Sequence, residues 1–123
     1  MKRDKPFSLQ ARLNSFVYAF AGIKTFIRDE PQALIHLIAS MVVTLAGFYF
    51  EITTNEWIAV MFAIGIVVVS EMINTAIEKL TDMVSPEIHP KAKEVKDMAA
   101  GAVLIASFAA AVIGCLVFWP KLT

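Results

Sequence analysis

Three stretches of this chain are almost free of charge: 33–50, 57–77 and 98–119, the second interrupted only by Glu71. At 1.5 Å per residue, each is about long enough to cross a hydrocarbon core of roughly 30 Å. Helices of a water-soluble bundle would each need a polar face, and none of the three has one. The pattern predicts an all-α membrane protein with spans over about residues 31–50, 56–82 and 91–119, the whole of 1–123 forming one integral-membrane domain. Residues 8–28 read differently. Leu9, Leu13, Phe16, Val17, Phe20, Ile23 and Ile27 recur at helical spacing, with Arg12, Asn14, Ser15, Lys24 and Thr25 largely off that stripe. A basic, aromatic-bearing amphipathic helix beside a span lies on the membrane surface. Tyr18, on the flank of the stripe, reads as an interfacial aromatic.

The boundaries carry their own signals. Asp29-Glu30-Pro31 reads as a helix start, with acidic residues beside a Pro at the first helical position. The short link 51–56 makes a tight hairpin of the first two spans. Trp57 and Trp119 fit an aromatic belt. Ser85-Pro86 ends the second helix, and 86–90 is a turn before the charged start of the third, Lys91 to Asp97. Farther along, Ala102, Ala106, Ala110 and Gly114 form a small-residue stripe that lets another helix approach closely.

Charge adds orientation. Eleven Lys and Arg balance eleven Asp and Glu, which gives no argument for a nucleic-acid partner. Lys2, Arg3, Lys5, Arg12, Lys24 and Arg28 precede the first span, and Lys91, Lys93 and Lys96 follow the second. The positive-inside rule puts the N-terminus and the second loop in the cytoplasm, as in a multi-pass protein of the cell inner membrane. The first apolar run is not a cleavable signal, since about 30 residues, many of them charged, precede it. The single cysteine, Cys115, reads as a small apolar residue of the third span.

The chemistry gathers at the end of the second span. At 100° per residue, Glu71, Glu78 and Asp82 fall almost in line on one helix face, with Asn74 about 60° to one side and Thr75 about 40° to the other. A carboxylate inside a span costs several kcal/mol unless it faces protein, water or a cation. Glu30, Lys96 and Asp97 are expected at a similar depth, while His36, farther in, is expected to hydrogen-bond a neighbouring helix. Carboxylates with an Asn and a Lys at one level suit a hard cation such as Mg²⁺, which takes oxygen ligands. Glu71, about 10 Å deeper than Glu78, could act as a base toward a lipid hydroxyl beside a metal-bound nucleotide. The same residues also suit a non-enzymatic cation or proton pathway, or an assembly protein whose polar ladder locks helix register. From the residues alone the kinase and transport readings stand even. Three spans hide little of this ladder, so a homo-oligomer is expected.

The run Glu71-Met72-Ile73-Asn74-Thr75-Ala76-Ile77-Glu78, with Asp82 after it, resembles the signature of the small prokaryotic diacylglycerol kinase/undecaprenol kinase family. So do His89-Pro90, Ala92-Lys93, the run from Lys96-Asp97 to Leu104, and Tyr18-Ala19, Gly22-Ile23, Glu30 and Ile35-His36-Leu37. The resemblance implies a homotrimer with active sites shared between neighbours and phosphorylation of a membrane lipid alcohol by ATP with Mg²⁺. It makes Glu71 the proton acceptor, with Asn74 supporting the cluster, and Glu30 and Glu78 the metal ligands. Lys96 and Asp97 would contact the nucleotide, with Tyr18 and Glu87 to His89 lining its pocket; Arg12, Thr75 and Asp82 would support the site. The His-Pro-x-Ala-Lys loop resembles the undecaprenol kinase branch more than the diacylglycerol branch. The chain departs from many relatives at Ala11, where Arg12 stands one step from an expected basic residue, and at Gln32 and Leu34.

Overall fold

The computed structural model describes residues 7–123 and contains four helices: α1 (Leu9–Asp29), α2 (Pro31–Tyr49), α3 (Thr54–Val84) and α4 (Pro90–Leu122). The last three are long and apolar enough to cross a membrane. Lys2, Arg3 and Lys5, which entered the charge argument, lie outside the described residues.

Each helix boundary has a local cause. Ser8 is extended, and its hydroxyl accepts the Ala11 N–H at 3.4 Å, capping α1. Glu30 is also extended, at φ −111° and ψ 112°, and separates α1 from α2 by itself. Pro31 then opens α2, where its missing N–H is no loss. The reading of Asp29-Glu30-Pro31 as a helix start holds for Glu30, the N-cap position of α2, and for Pro31, and needs correction for Asp29. Asp29 is the last residue of α1, and the Glu30 side chain makes no capping hydrogen bond.

The outer turn is tight. Glu51 takes a positive φ of 49°, and the Ile52 N–H bonds the Gly47 carbonyl at 3.1 Å. Thr53 and Glu56 form a reciprocal capping box, at 3.2 and 2.9 Å, so α3 begins at Thr54, ahead of the expected 56. It runs to Val84, two residues past the expected 82. The last helix also exceeds its expected limits of 91 and 119, extending from Pro90 to Leu122 through Pro120. Pro120 removes one backbone bond within the final turn, where the helix is about to end anyway. At 31 and 33 residues, α3 and α4 reach about 46 and 50 Å, well beyond the hydrocarbon thickness.

The α3–α4 pair is the most extensive contact, with α2 against α3 and α1 against α2. A buried apolar cluster lies near the α2–α3 turn, where Ile52, Val60 and Val117 are buried among Val43, Phe50, Trp57, Ile64, Ile113 and Phe118. Lys121 closes that end by pairing with Glu56 at 3.2 Å. Along the seam, α3 buries Val60, Ala63, Glu71 and Thr75, and α4 buries Ala99, Ala106 and Val117. The expected small-residue stripe is therefore only partly used, since Ala106 is buried and Ala102 is exposed. A strict four-residue spacing advances 400° per step and drifts off a straight contact line by 40°, so the seam follows a shorter average repeat.

Gly47 shows how close the α2–α3 hairpin is. A Cβ there would stand 2.6 Å from the Trp57 ring and 3.1 Å from Ile52 Cδ1. Gly47→Ala is expected to destabilise the protein by about 1–3 kcal/mol through overpacking, read as a lowered Tm in detergent. Gly22→Ala, with open space around its Cβ in exposed α1, is expected to be neutral or stabilising, because Ala favours a helix over Gly by about 1 kcal/mol.

Candidate active site

Glu71 is the sole charged side chain buried among the described residues, at 6% exposure. Three turns of α3 that are otherwise apolar lead to it, so its carboxylate needs a partner. His36 of α2 supplies one, with Nε2 at 2.9 Å from Glu71 Oε1. Thr75, one turn on, is buried beside it in the α3–α4 seam. Asn74 Nδ2 donates to Glu78 Oε1 at 3.2 Å, while Asn74 Oδ1 is enclosed with no hydrogen-bond partner among the described residues. An enclosed amide oxygen without a donor is uncommon and points to a missing ligand.

Glu30 sits at the α1–α2 junction. No side-chain contact joins it to Glu78 among the described residues, but their chain neighbours meet: Lys79 Nζ lies 3.3 Å from Asp29 Oδ2. That ion pair brings the junction to the level of Glu78. Asp29 also accepts from Arg28 at 2.7 Å. The Arg28 hydrogen bond, and after it that of Lys79, hold the Asp29 carboxyl down to about 2.

A second polar group lies about 16 Å from Glu71 along α3, at the α3–α4 turn. Asp82 Oδ1 and Lys96 Nζ are 2.5 Å apart, tying the end of α3 to the start of α4. Asp97 pairs with Lys93 at 2.5 Å, one turn back on its own helix. His89 caps α4, its Nδ1 accepting the Lys91 N–H at 3.1 Å, which leaves Nε2 to carry the ring proton. These residues surround an open cavity of about 290 Å³, lined by Asp82, Ser85, Glu87, His89, Lys93, Lys96 and Asp97 among others. The first turn of α4 adds its positive helix end to one wall.

Four of the expected nucleotide contacts, Glu87, His89, Lys96 and Asp97, thus share one cavity, with Asp82 beside them. The other expected nucleotide contacts, Tyr18, Glu30 and Glu78, do not line it, nor does Arg12, expected only to support the site. Tyr18 is 72% exposed on α1. Arg12 stacks over the Phe7 ring at 5.6 Å, near the start of α1. Sequence reasoning passed over Lys79 and used Lys93 for orientation and resemblance but not as a site residue; the four-residue spacing of Lys93 and Asp97 was a visible signal for it.

As donors for a divalent ion, the residues are of the right kind. Glu78 offers a carboxylate and Asn74 a free amide oxygen, both hard ligands. Among the described residues no three His, Cys, Asp or Glu groups come together as a metal site, so a Mg²⁺ bound here would take its remaining oxygens from phosphates and water.

Residues 17–118 match the prokaryotic diacylglycerol kinase family. The chain belongs to that family. Membership makes it a lipid kinase and removes the conducting and purely structural readings. It is 38% identical to the undecaprenol kinase of Bacillus subtilis (strain 168), over 98% of both chains. It is 34% identical to the diacylglycerol kinase of Synechocystis sp., over 90% of this chain and 65% of that one. With the diacylglycerol kinase of Escherichia coli (strain K12) it shares 24% identity, over 83% of this chain and 84% of the relative.

For this kinase the Asp29 pairing has a measurable consequence. The stability contributed by its charge is complete above the ordinary carboxylate range and is lost as pH falls through about 2. A carboxyl-detected NMR titration should place its midpoint near that value. Lys79→Met should raise the midpoint only part of the way, because Arg28 is the larger cause. A full return to the ordinary carboxylate value in that variant would contradict the assignment.

Proposed function

We propose that this lipid kinase transfers the γ-phosphoryl group of ATP to the hydroxyl of a membrane lipid alcohol, with undecaprenol favoured over diacylglycerol. The observation that carries the reading is Glu71, a carboxylate buried between apolar helices, held by one His and placed where a lipid hydroxyl could reach it from the bilayer. The preference for undecaprenol rests on the full-length similarity to an undecaprenol kinase and on the His-Pro-x-Ala-Lys loop at residues 89–93.

In the proposed reaction Glu71 accepts the hydroxyl proton as the lipid oxygen attacks the γ-phosphorus, and ADP leaves. Glu30 and Glu78 would hold Mg²⁺, with Asn74 beside them. The bound ion would neutralise charge on the phosphates and orient them. Lys96 and Asp97, with Glu87 and His89, would border the nucleotide in the cavity at the α3–α4 turn. Asp82 anchors Lys96, and Thr75 backs Glu71 in the helix seam. Arg12 belongs to the surface helix and meets lipid headgroups.

The assembly proposed is a homotrimer of the inner membrane with active sites between neighbours and α1 lying on the cytoplasmic leaflet. Wide apolar faces left open on α2, α3 and α4 support this, since they need lipid or another subunit. The cytoplasmic orientation is supported by Lys24 and Arg28 at one junction and Lys91, Lys93 and Lys96 at the other.

The deciding experiment offers undecaprenol and diacylglycerol separately to one preparation in detergent, with Mg²⁺ and γ-labelled ATP. Labelled undecaprenyl phosphate is expected as the main product; no labelled lipid from either alcohol would defeat the reading. Glu71→Gln is expected to lower kcat by at least about 100-fold with the oligomer intact. Glu78→Gln should raise the Mg²⁺ concentration needed for half-maximal rate, a shift that a purely structural Glu78 would not produce.

A further inference from the structure

We infer that His36 is a positioning residue for the base, fixing the Glu71 carboxylate through Oε1 so that Oε2 takes the lipid proton. The inference rests on the proposed role of Glu71 and goes beyond it by assigning separate tasks to its two oxygens.

An ionised carboxylate only accepts hydrogen bonds, so the 2.9 Å contact requires His36 Nε2 to carry the hydrogen. That donor comes from α2, whereas Glu71 is on α3, and the bond holds the carboxylate from outside its own helix. No other hydrogen bond reaches Glu71 among the described residues, yet Oε2 is not among the enclosed polar atoms without a partner. Oε2 therefore carries no hydrogen bond among the described residues and keeps some exposed surface. Oε1 is committed and Oε2 is available.

The surroundings of His36 agree. It stands at the rim of an apolar cavity of about 150 Å³ between α2, α3 and α4, walled by residues such as Ala39, Val43, Val67, Ala110 and Gly114. Ser40, the other polar residue there, is occupied, since its hydroxyl donates to the His36 carbonyl at 2.7 Å. The imidazole thus has one ionisable neighbour, Glu71 on α3; the cavity lining from α2 and α4 carries no charged group. A carboxylate anchored at one oxygen loses its rotation about the terminal bond. In the transfer step the lipid O–H bond breaks with its proton going to Oε2, the lipid oxygen forms a bond to the γ-phosphorus, and the bond to the bridging oxygen breaks with its electron pair leaving on ADP. The His36 proton stays on Nε2 throughout.

The test compares His36→Leu and His36→Gln in the full-length protein in detergent, with undecaprenol and MgATP. His36→Leu is expected to lower kcat by about 100-fold, the effect of a reacting group misplaced by about 1 Å, while the KM for ATP stays within about twofold. His36→Gln, whose amide N–H can reach the Nε2 position, should recover most of the loss. A wild-type kcat in His36→Leu would overturn the inference and leave Glu71 as the base. A Gln variant as slow as Leu would also overturn it, and so would loss of the assembled fold in both variants, which would make the bond structural. Absence of lipid phosphorylation by the wild-type protein would overturn the proposed function itself.

Discussion

A carboxylate removed from water among apolar helices constrains everything near it. Leaving Glu71 unpaired in a span would cost several kcal/mol, and the chain meets that cost with a histidine from another helix. The bond has two consequences. It requires α2 and α3 to keep one relative rotation and depth, since a 2.9 Å contact does not survive a shift of a whole helical turn, about 5.4 Å. It also keeps the Glu71 carboxylate within a span, where, in the role proposed for it, a lipid alcohol could approach with water scarce around it. The interaction that makes the site expensive to fold also makes it chemically useful.

The two ends of the bundle meet different demands. The end at the α2–α3 turn is packed by shape: Trp57 lies over Gly47, and Ile52, Val60 and Val117 form the buried core. The opposite end is joined by charge, through Asp82 with Lys96 and Asp29 with Lys79. Exposed ion pairs of this kind contribute little stability, about 0–1 kcal/mol each. The apolar packing at the α2–α3 turn therefore fixes the helices, and the ion pairs at the other end can be rearranged at small cost. The proposed nucleotide site, which would have to admit and release a charged ligand, would benefit from that division.

Much of this was readable from the residues in order. The three apolar runs located the spans, and the 100° step placed Glu71, Glu78 and Asp82 on one face. The shared level of Asp82 and Lys96 also followed from where the charged and apolar stretches meet. What periodicity gives is a face, not the neighbour that the face meets. The Lys79–Asp29 pair joins residues 50 apart in the chain, and no local pattern announces it. His36 could be expected to bond a neighbouring helix, but its partner required the α2–α3 depth. The Ala102 to Gly114 stripe misled at Ala102, because a four-residue repeat drifts around the helix while the contact seam does not. Gly47 gave no signal at all, since its importance lies in the indole ring that rests against it.

The lysines near the proposed nucleotide cavity add a last constraint. Both are already neutralised, Lys96 by Asp82 and Lys93 by Asp97, each at 2.5 Å. An arriving triphosphate does not meet bare cations; it must draw at least one ammonium away from a carboxylate or share it. Taking Lys96 would release the tie between the end of α3 and the start of α4, and Asp82 would then face the phosphates unpaired. Like charges so close raise each other's energy unless a cation stands between them. Under the proposed function, a divalent ion arriving with the nucleotide would meet that need as the ion pair opened, and metal binding and nucleotide binding would then be tied to one step.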